Sequence, residues 1–393
     1  MRINAKQLLT IAVCGLALAS CGGGGGVGGT PTTGNGGSGT GTTQPGGSGG
    51  SGSSSGGTGG APTSPTPPPA NPISMNIYAG TDGPNEPIVV VYINGQPVKM
   101  LLDTGASGIL VNQGTFPISQ TAYTSQTFSV TYGSGQTASG TVAIATVCPT
   151  SSTVGCVTMP VAVNSYTSGS NVAFSSTDER QGDFGMDCGY NTQGGPNAFC
   201  YLYYLWKQNP SYSSYSLSFI APSNTFYYTP STTTPIGTIT FGSFSASNLI
   251  SYPPNLLETN TIYGNSLTAL SVFDTGTNGI LLPTYVLQAE IPNFSASSDE
   301  NGCGIPNEVQ GGFNLYYQIP YAYSNSSFST SFTTEPTSNM CNTVFSNNPL
   351  ILEGWTGDIG TVGYGIFGLP EMVRHSYIWI LGNDGMVQYV GIE

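Results

Sequence analysis

The chain has 393 residues, enough for two domains of ordinary size or for one large two-lobed body behind a tail. Six Lys and Arg stand against nineteen Asp and Glu, a formal charge of −13, which argues against nucleic acid or an anionic membrane surface as a partner. There is a single histidine, His375. No set of histidines is therefore at hand to hold a metal, any Ser-His or Cys-His mechanism would rest on one residue, and carboxylates are left as the main catalytic option.

Residues 1–20 read as an export signal, with Arg2 and Lys6 ahead of a short apolar run from Leu8 to Leu18 that is too short for a membrane span. The run ends in Leu18-Ala19-Ser20-Cys21, which looks like a bacterial lipoprotein cleavage box, with Cys21 as the lipidated first residue of the mature chain. An ordinary signal peptide followed by a chance Cys is the alternative. Residues 21–71 are Gly, Ser, Thr and Pro with hardly an apolar side chain, a composition that buries no core and acts as a tether. The expected address is the bacterial cell envelope, at the outer membrane, with contact to the membrane through the lipid alone. Without Arg2 and Lys6, only Lys99, Arg180, Lys207 and Arg374 remain as permanent cations. Protonating the carboxylates in acid then creates little self-repulsion, so the composition tolerates acid. General depletion of charge in an exported β protein explains the same numbers.

From Pro72 to Glu393 the chain alternates short runs rich in Val, Ile, Thr, Tyr and Phe with Gly, Asn, Pro and Ser turns, which predicts an all-β body. Helical periodicity is scarce, and the clearest candidates are Asn197 to Lys207 and the segment after Pro283. Apart from Cys14 in the signal and Cys21, six cysteines remain, and an even number in an exported chain reads as disulfides. Close spacing favours Cys148 with Cys156 and Cys188 with Cys200, leaving Cys303 with Cys341. No Cys-x-x-Cys pair offers a zinc site.

The strands predicted at Ile88 to Ile93 and Val98 to Leu102 are joined through Asn94-Gly95, suited to a tight hairpin turn. The second runs into Asp103-Thr104-Gly105-Ala106-Ser107-Gly108-Ile109-Leu110-Val111. Much later, Leu270 to Phe273 runs into Asp274-Thr275-Gly276-Thr277-Asn278-Gly279-Ile280-Leu281-Leu282. One phrase thus occurs twice, and the chain reads as internally duplicated. An Asp that ends an apolar strand is half withdrawn from water, and the Gly after it lets two such loops approach. Two carboxyls held together cannot both ionise cheaply, so they share a proton and titrate as a pair. One can then act as general base on a water and the other as general acid towards a carbonyl. Two unrelated aspartates capping their own turns are the plain alternative.

At these motifs the chain resembles the pepsin-like aspartic peptidases. Phe128 to Thr131 followed by Tyr132-Gly133-Ser134-Gly135, then Gly140-Thr141-Val142, resembles that family's flap, the β hairpin whose Tyr leans over the active site. Ile366-Phe367-Gly368-Leu369-Pro370 with the strands from Tyr377 to Ile392 resembles its closing segment, and Gly237 to Gly242 the strand that opens its second lobe. A Cys303–Cys341 bridge also fits the family. The resemblance implies a bilobal all-β fold, with an N-terminal lobe over 72–225 and a C-terminal lobe over 226–393. It further implies catalytic Asp103 and Asp274, support from Thr104, Gly105, Thr275, Gly276 and Thr277, polypeptide substrates, a monomer and no cofactor. The function implied is an aspartic endopeptidase, with a catalytically silent binding module on the same fold as the alternative.

The chain departs from the family at several places. Ala106 stands where the family usually has Ser, and Leu110 and Val111 stand where it offers a Trp to the flap Tyr. Leu101 to Ala106 is closer to the retroviral-type peptidases. The basic pro-segment that restrains family zymogens has no counterpart between Lys6 and Lys99. Asp183 reads as a structural turn and His375 as a surface or strand-edge residue.

Overall fold

A computed structural model describes residues 71–81, 86–113, 119, 122–131, 137–165, 179–188, 200–220, 228, 230–252, 255–260, 266–277, 280–283, 314–324, 326–333, 352–355 and 364–393. The expected signal, Cys21 and residues 22–70 of the expected tether lie outside these residues, as do Tyr132, Gly133, Ser134, Gly135, Cys303, Cys341 and the helix expected after Pro283.

The body is β, as its alternating pattern predicts. The first half supplies β1 (Ile73–Ala79), β2 (Pro87–Ile93), β3 (Gln96–Asp103), β4 (Ser107–Asn112), β5 (Tyr123–Thr131), β6 (Thr137–Cys148), β7 (Val157–Asn164), β8 (Gly182–Met186) and β9 (Ser214–Phe219). It also carries α1 (Tyr201–Gln208), which overlaps the expected helical stretch. The second half supplies β10 (Ser231–Gly242), β11 (Leu249–Ser251), β12 (Asn255–Asn260), β13 (Ser266–Phe273), β14 (Ile280–Pro283), β15 (Asn314–Pro320), β16 (Ser327–Thr333), β17 (Leu352–Trp355), β18 (Tyr364–Phe367), the short α2 (Leu369–Met372), β19 (Tyr377–Leu381) and β20 (Val387–Ile392).

Two sheets hold these strands. The larger runs β11-β20-β19-β9-β10-β1-β2-β3-β8-β4-β7-β6-β5, so strands from both ends of the chain meet in one layer; the smaller runs β16-β15-β12-β13-β18-β14-β17. The β2–β3 hairpin turns at Asn94 and Gly95, both at positive φ (50° and 80°), as a tight two-residue turn of the mirror-image type requires.

The duplication read from the sequence is also a duplication of path. In the first half β3 lies parallel to β8, β8 returns antiparallel to β4, and β4 lies parallel to β7. In the second half β13 lies parallel to β18, β18 is antiparallel to β14, and β14 is parallel to β17. The registers match: Leu102 faces Phe184 as Phe273 faces Phe367, and Ile109 faces Phe184 as Ile280 faces Phe367. Each Asp-Thr-Gly loop is therefore the link between two strands that are separated in the sheet by an intruding third strand. Such a link crosses the end of that third strand instead of closing a hairpin, and this carries its Asp to the sheet's end.

Along β4 the alternation of a strand divides the packing. Ile109 and Val111 enter the main core with Leu102 and Phe184. Leu110 turns the other way, into a second apolar cluster with Leu101, Ala106, Phe128, Ala138 and Ala162. Phe128 and Ala138 belong to the hairpin β5–β6, so the base of the expected flap rests on an apolar patch shared with the first Asp-Thr-Gly loop. Leu110 and Ala106 thus have a packing reason.

Both close-spaced disulfides are present, Cys148–Cys156 and Cys188–Cys200. One sequence expectation is corrected. Asp183 is not a turn residue but lies within β8, buried and in register with Leu101 and Leu110. His375 is partly exposed just ahead of β19, edge-on to the Phe328 ring at 5.2 Å, with Nε2 at 3.6 Å from the buried Glu371 carboxyl.

Candidate active site

β3 ends on Asp103 and β13 on Phe273, one residue before Asp274, and both carboxyls are fully buried. Each first ties its own loop. Asp103 Oδ1 accepts from the main-chain N–H of Gly105 and of Ala106, both at 2.8 Å, and Asp274 Oδ1 accepts from Gly276 N–H at 2.7 Å. The turn-capping role considered for them is thus real. They also meet: each carboxyl lies against the glycine of the other loop, and the charge of Asp103 acts on Asp274.

The glycines allow that approach. A Cβ at Gly105 would stand 2.6 Å from Asp274 Cγ, and one at Gly276 would stand 2.6 Å from Asp103 Oδ2. Each glycine faces the aspartate of the other loop, so any side chain there would drive the two carboxyls apart. Neither position has a positive φ, so the demand is for space.

The two threonines lock the loops together. Thr104 N–H donates to Thr275 Oγ1 and Thr275 N–H to Thr104 Oγ1, both at 3.0 Å. Thr104 Oγ1 donates to the Phe273 carbonyl at 2.8 Å and Thr275 Oγ1 to the Leu102 carbonyl at 2.6 Å. Each hydroxyl accepts from one main chain and donates to another across 169 to 173 residues of sequence. This fourfold lock is buried, so its bonds act in a medium of low dielectric.

Electrostatics then couple the pair. Burial pushes the Asp274 carboxyl well above the ordinary carboxylate range, the charge of Asp103 pushes it further, and the Thr277 hydroxyl and Gly276 N–H pull back more weakly.

The two loops differ at the third residue after each Asp. Thr277 Oγ1 donates to Asp274 Oδ2 at 2.7 Å, whereas the matching place in the first loop is Ala106, whose methyl joins the apolar cluster under the hairpin. Ala106→Ser should supply the missing donor to the Asp103 side. A hydrogen bond to the ionised form favours it, so proton loss from the pair should move to lower pH, by about half a unit to one unit. The acid limb of any pH-activity profile should move with it, and an unmoved limb would show that residue 106 does not reach the pair.

Four residues of this neighbourhood escaped the sequence reading. Asp187, buried just after β8, donates its N–H to the Ala106 carbonyl at 2.9 Å and accepts the Tyr252 hydroxyl at 2.7 Å. Tyr215 is buried, and its hydroxyl is driven far above the ordinary phenol range by burial and then by Asp187 and Asp103. Glu371 on α2 is buried beside Arg374 and His375. Behind Asp274, its N–H donates to the Phe367 carbonyl and Leu369 N–H donates to the Thr277 carbonyl, each at 2.9 Å. The paired phrases Phe184-Gly185-Met186-Asp187 and Phe367-Gly368-Leu369-Pro370 were the available signal for Asp187. Among the described residues no cluster of His, Cys, Asp and Glu suits a metal ion.

Comparison with known proteins finds a family model and a solved structure that match. Residues 89–169, which contain the first Asp-Thr-Gly and the hairpin β5–β6, match the family described as "gag-polyprotein putative aspartyl protease". The aspartic proteinase from Irpex lacteus superposes on the chain with a TM-score of 0.58 at 17% identity, covering 82% of this chain and 97% of that one. The fold is that of the pepsin-like aspartic proteinases. No curated protein sequence matches the chain. The pepsin-like architecture thus joins a first loop whose sequence is similar to gag-type proteases, in keeping with Leu101 to Ala106.

Proposed function

We propose that this protein is an aspartic endopeptidase in which Asp103 and Asp274 share one proton and activate a water. The observation that carries the reading is the mutual approach of two buried carboxyls from two copies of one phrase, held by the threonine lock. In the reaction the ionised member of the pair takes a proton from water, and the oxygen left behind attacks the peptide carbonyl carbon. The protonated member gives its proton to the carbonyl oxygen. The resulting diol collapses as the pair returns a proton to the leaving amine, giving a new carboxyl and a new amino terminus.

Around this centre we assign Thr104, Gly105, Thr275, Gly276 and Thr277 to support, and Tyr132 with Gly133, Ser134 and Gly135 to a flap. We further propose export as a lipoprotein through Cys21, with residues 22–71 as tether and the body in the cell envelope. The absence of Lys and Arg between Lys6 and Lys99 supports activity without release of a basic pro-segment.

The test compares chains beginning at Cys21 and at Pro72 on an unfolded protein between about pH 3 and pH 7. Immediate cleavage by both is expected. A lag in the longer chain would overturn activation-free action, and no cleavage by either at any pH would replace the peptidase by a silent binding module.

A further inference from the structure

A third buried carboxyl is wired to the first of the two loops. Asp187 is 2% exposed and its N–H donates to the carbonyl of Ala106, the residue whose own N–H binds Asp103 Oδ1. Its Oδ1 accepts the hydroxyl of Tyr252, and the Tyr252 N–H is in turn held by the Gln388 carbonyl of β20 at 2.7 Å. The residue after it, Cys188, is fixed by its disulfide to Cys200 and by the N–H of Val387, again on β20. Asp187 therefore spans from the Asp103 loop to the β11–β20 edge of the large sheet. Architecture alone does not ask for an acid there. By the matched registers of β8 and β18, the corresponding residue of the second half is Pro370, which has no side-chain polar group.

Charge gives the placement its interest. The buried Tyr215 hydroxyl lies within the electrostatic reach of both Asp187 and Asp103. The two carboxyls thus share one buried phenol as neighbour, in a region where charges are weakly screened. Among the described residues the titratable groups tied to Asp187 are Tyr252 beyond β11, by its hydroxyl, and Tyr215 on β9, which also senses the charge of Asp103; the neighbouring Cys188 and Cys200 are bridged and do not titrate.

We propose that Asp187 is a positioning residue for the aspartate pair: it anchors the Ala106 end of the first loop through Tyr252, and its negative charge biases the pair towards keeping the shared proton. The proposal rests on reading Asp103 and Asp274 as a proton-sharing pair. It accounts for an acid at this register position in the first half, where the second half has Pro370. It also places opposing influences on the pair: the Thr277 hydroxyl favours ionisation of Asp274, while Asp187 opposes ionisation from the side of Asp103.

The experiment is a carbon-13 titration of aspartate carboxyls in the labelled full chain, from about pH 2 to pH 9, for wild type, Asp187→Asn and Tyr252→Phe, with peptide turnover measured in parallel. Asn keeps the shape and loses the charge, so the pair should release its proton about half a unit to one unit lower in Asp187→Asn, and both limbs of the pH-rate profile should follow. Tyr252→Phe should lower kcat about tenfold with KM little changed, because the loop loses its anchor but not its substrate contacts. Asp187→Ser, smaller and neutral, carries the same titration expectation if the Asn variant does not fold.

A neutral variant that loses thermal stability yet titrates as wild type would overturn the charge coupling and leave a structural residue. Wild-type kcat in Tyr252→Phe would overturn the anchoring. If wild type cuts no peptide while its titration still moves on losing Asp187, the peptidase reading fails and the coupling stands.

Discussion

Asp274→Asn should lower peptide turnover by about 10²–10⁴-fold while raising thermal stability at neutral pH. The two effects have one cause. Burial and Asp103 raise the folded-state pKa of Asp274 above its ordinary value of 3.8. A group raised in the folded state favours folding below its unfolded pKa, and that contribution is lost as the pH climbs through the folded value. At neutral pH the chain therefore carries a buried carboxylate pair at a cost to stability, and Asn relieves it. The melting temperature of Asp274→Asn should exceed that of wild type at about pH 7, and the gap should close as the pH falls towards 3.8. Equal melting temperatures at every pH would mean that Asp274 is not held protonated by its surroundings. Asp103→Asn should be as inactive, because neither loop makes a pair alone.

Loss of the threonine lock should have the next largest effect. Thr275→Val removes the acceptor of Thr104 N–H and the donor to the Leu102 carbonyl, and Thr104→Val removes the mirror pair of bonds. Each change strips two buried hydrogen bonds, so each should destabilise by about 2–4 kcal/mol. A displacement near 1 Å at the carboxyls should also cost about 10²-fold in turnover. Once one threonine is gone the loops are already released, so the double variant should lose less than the sum of the singles. Thr→Ser at either place keeps the hydroxyl and should stay close to wild type. Chemical denaturation and turnover of these variants check the expectation; strict additivity would show that the two threonines act independently.

What could be read from the sequence follows from how locally each feature is encoded. The Asp-Thr-Gly phrase is a strand end, a small residue and a strand start within nine residues, so its two copies stood out and the 171-residue spacing placed a repeat in each half. The hairpin at Asn94-Gly95 and the bridges across 8 and 12 residues were legible for the same reason. Long-range register was not. Phe184 and Phe367 each lie beside an Asp loop some eighty or more residues upstream, and nothing local announces that they thread between its two strands. The partners of His375, Phe328 on a distant strand and Glu371 on a helix of four residues, were likewise out of sight. Asp187 and Tyr252 were missed because a polar residue between turns reads as surface until the fold buries it.

The measurement that bears most directly on the central claim is binding of a peptide carrying a transition-state-like hydroxyl in place of the scissile carbonyl. Calorimetry at about pH 4 would compare wild type, Asp103→Asn and Asp274→Asn, with digestion of an unfolded protein run alongside. Tight binding and inhibited cleavage in wild type, with both lost in each variant, is the predicted result. Equal binding by all three proteins, or an unfolded protein left intact by wild type, would contradict it.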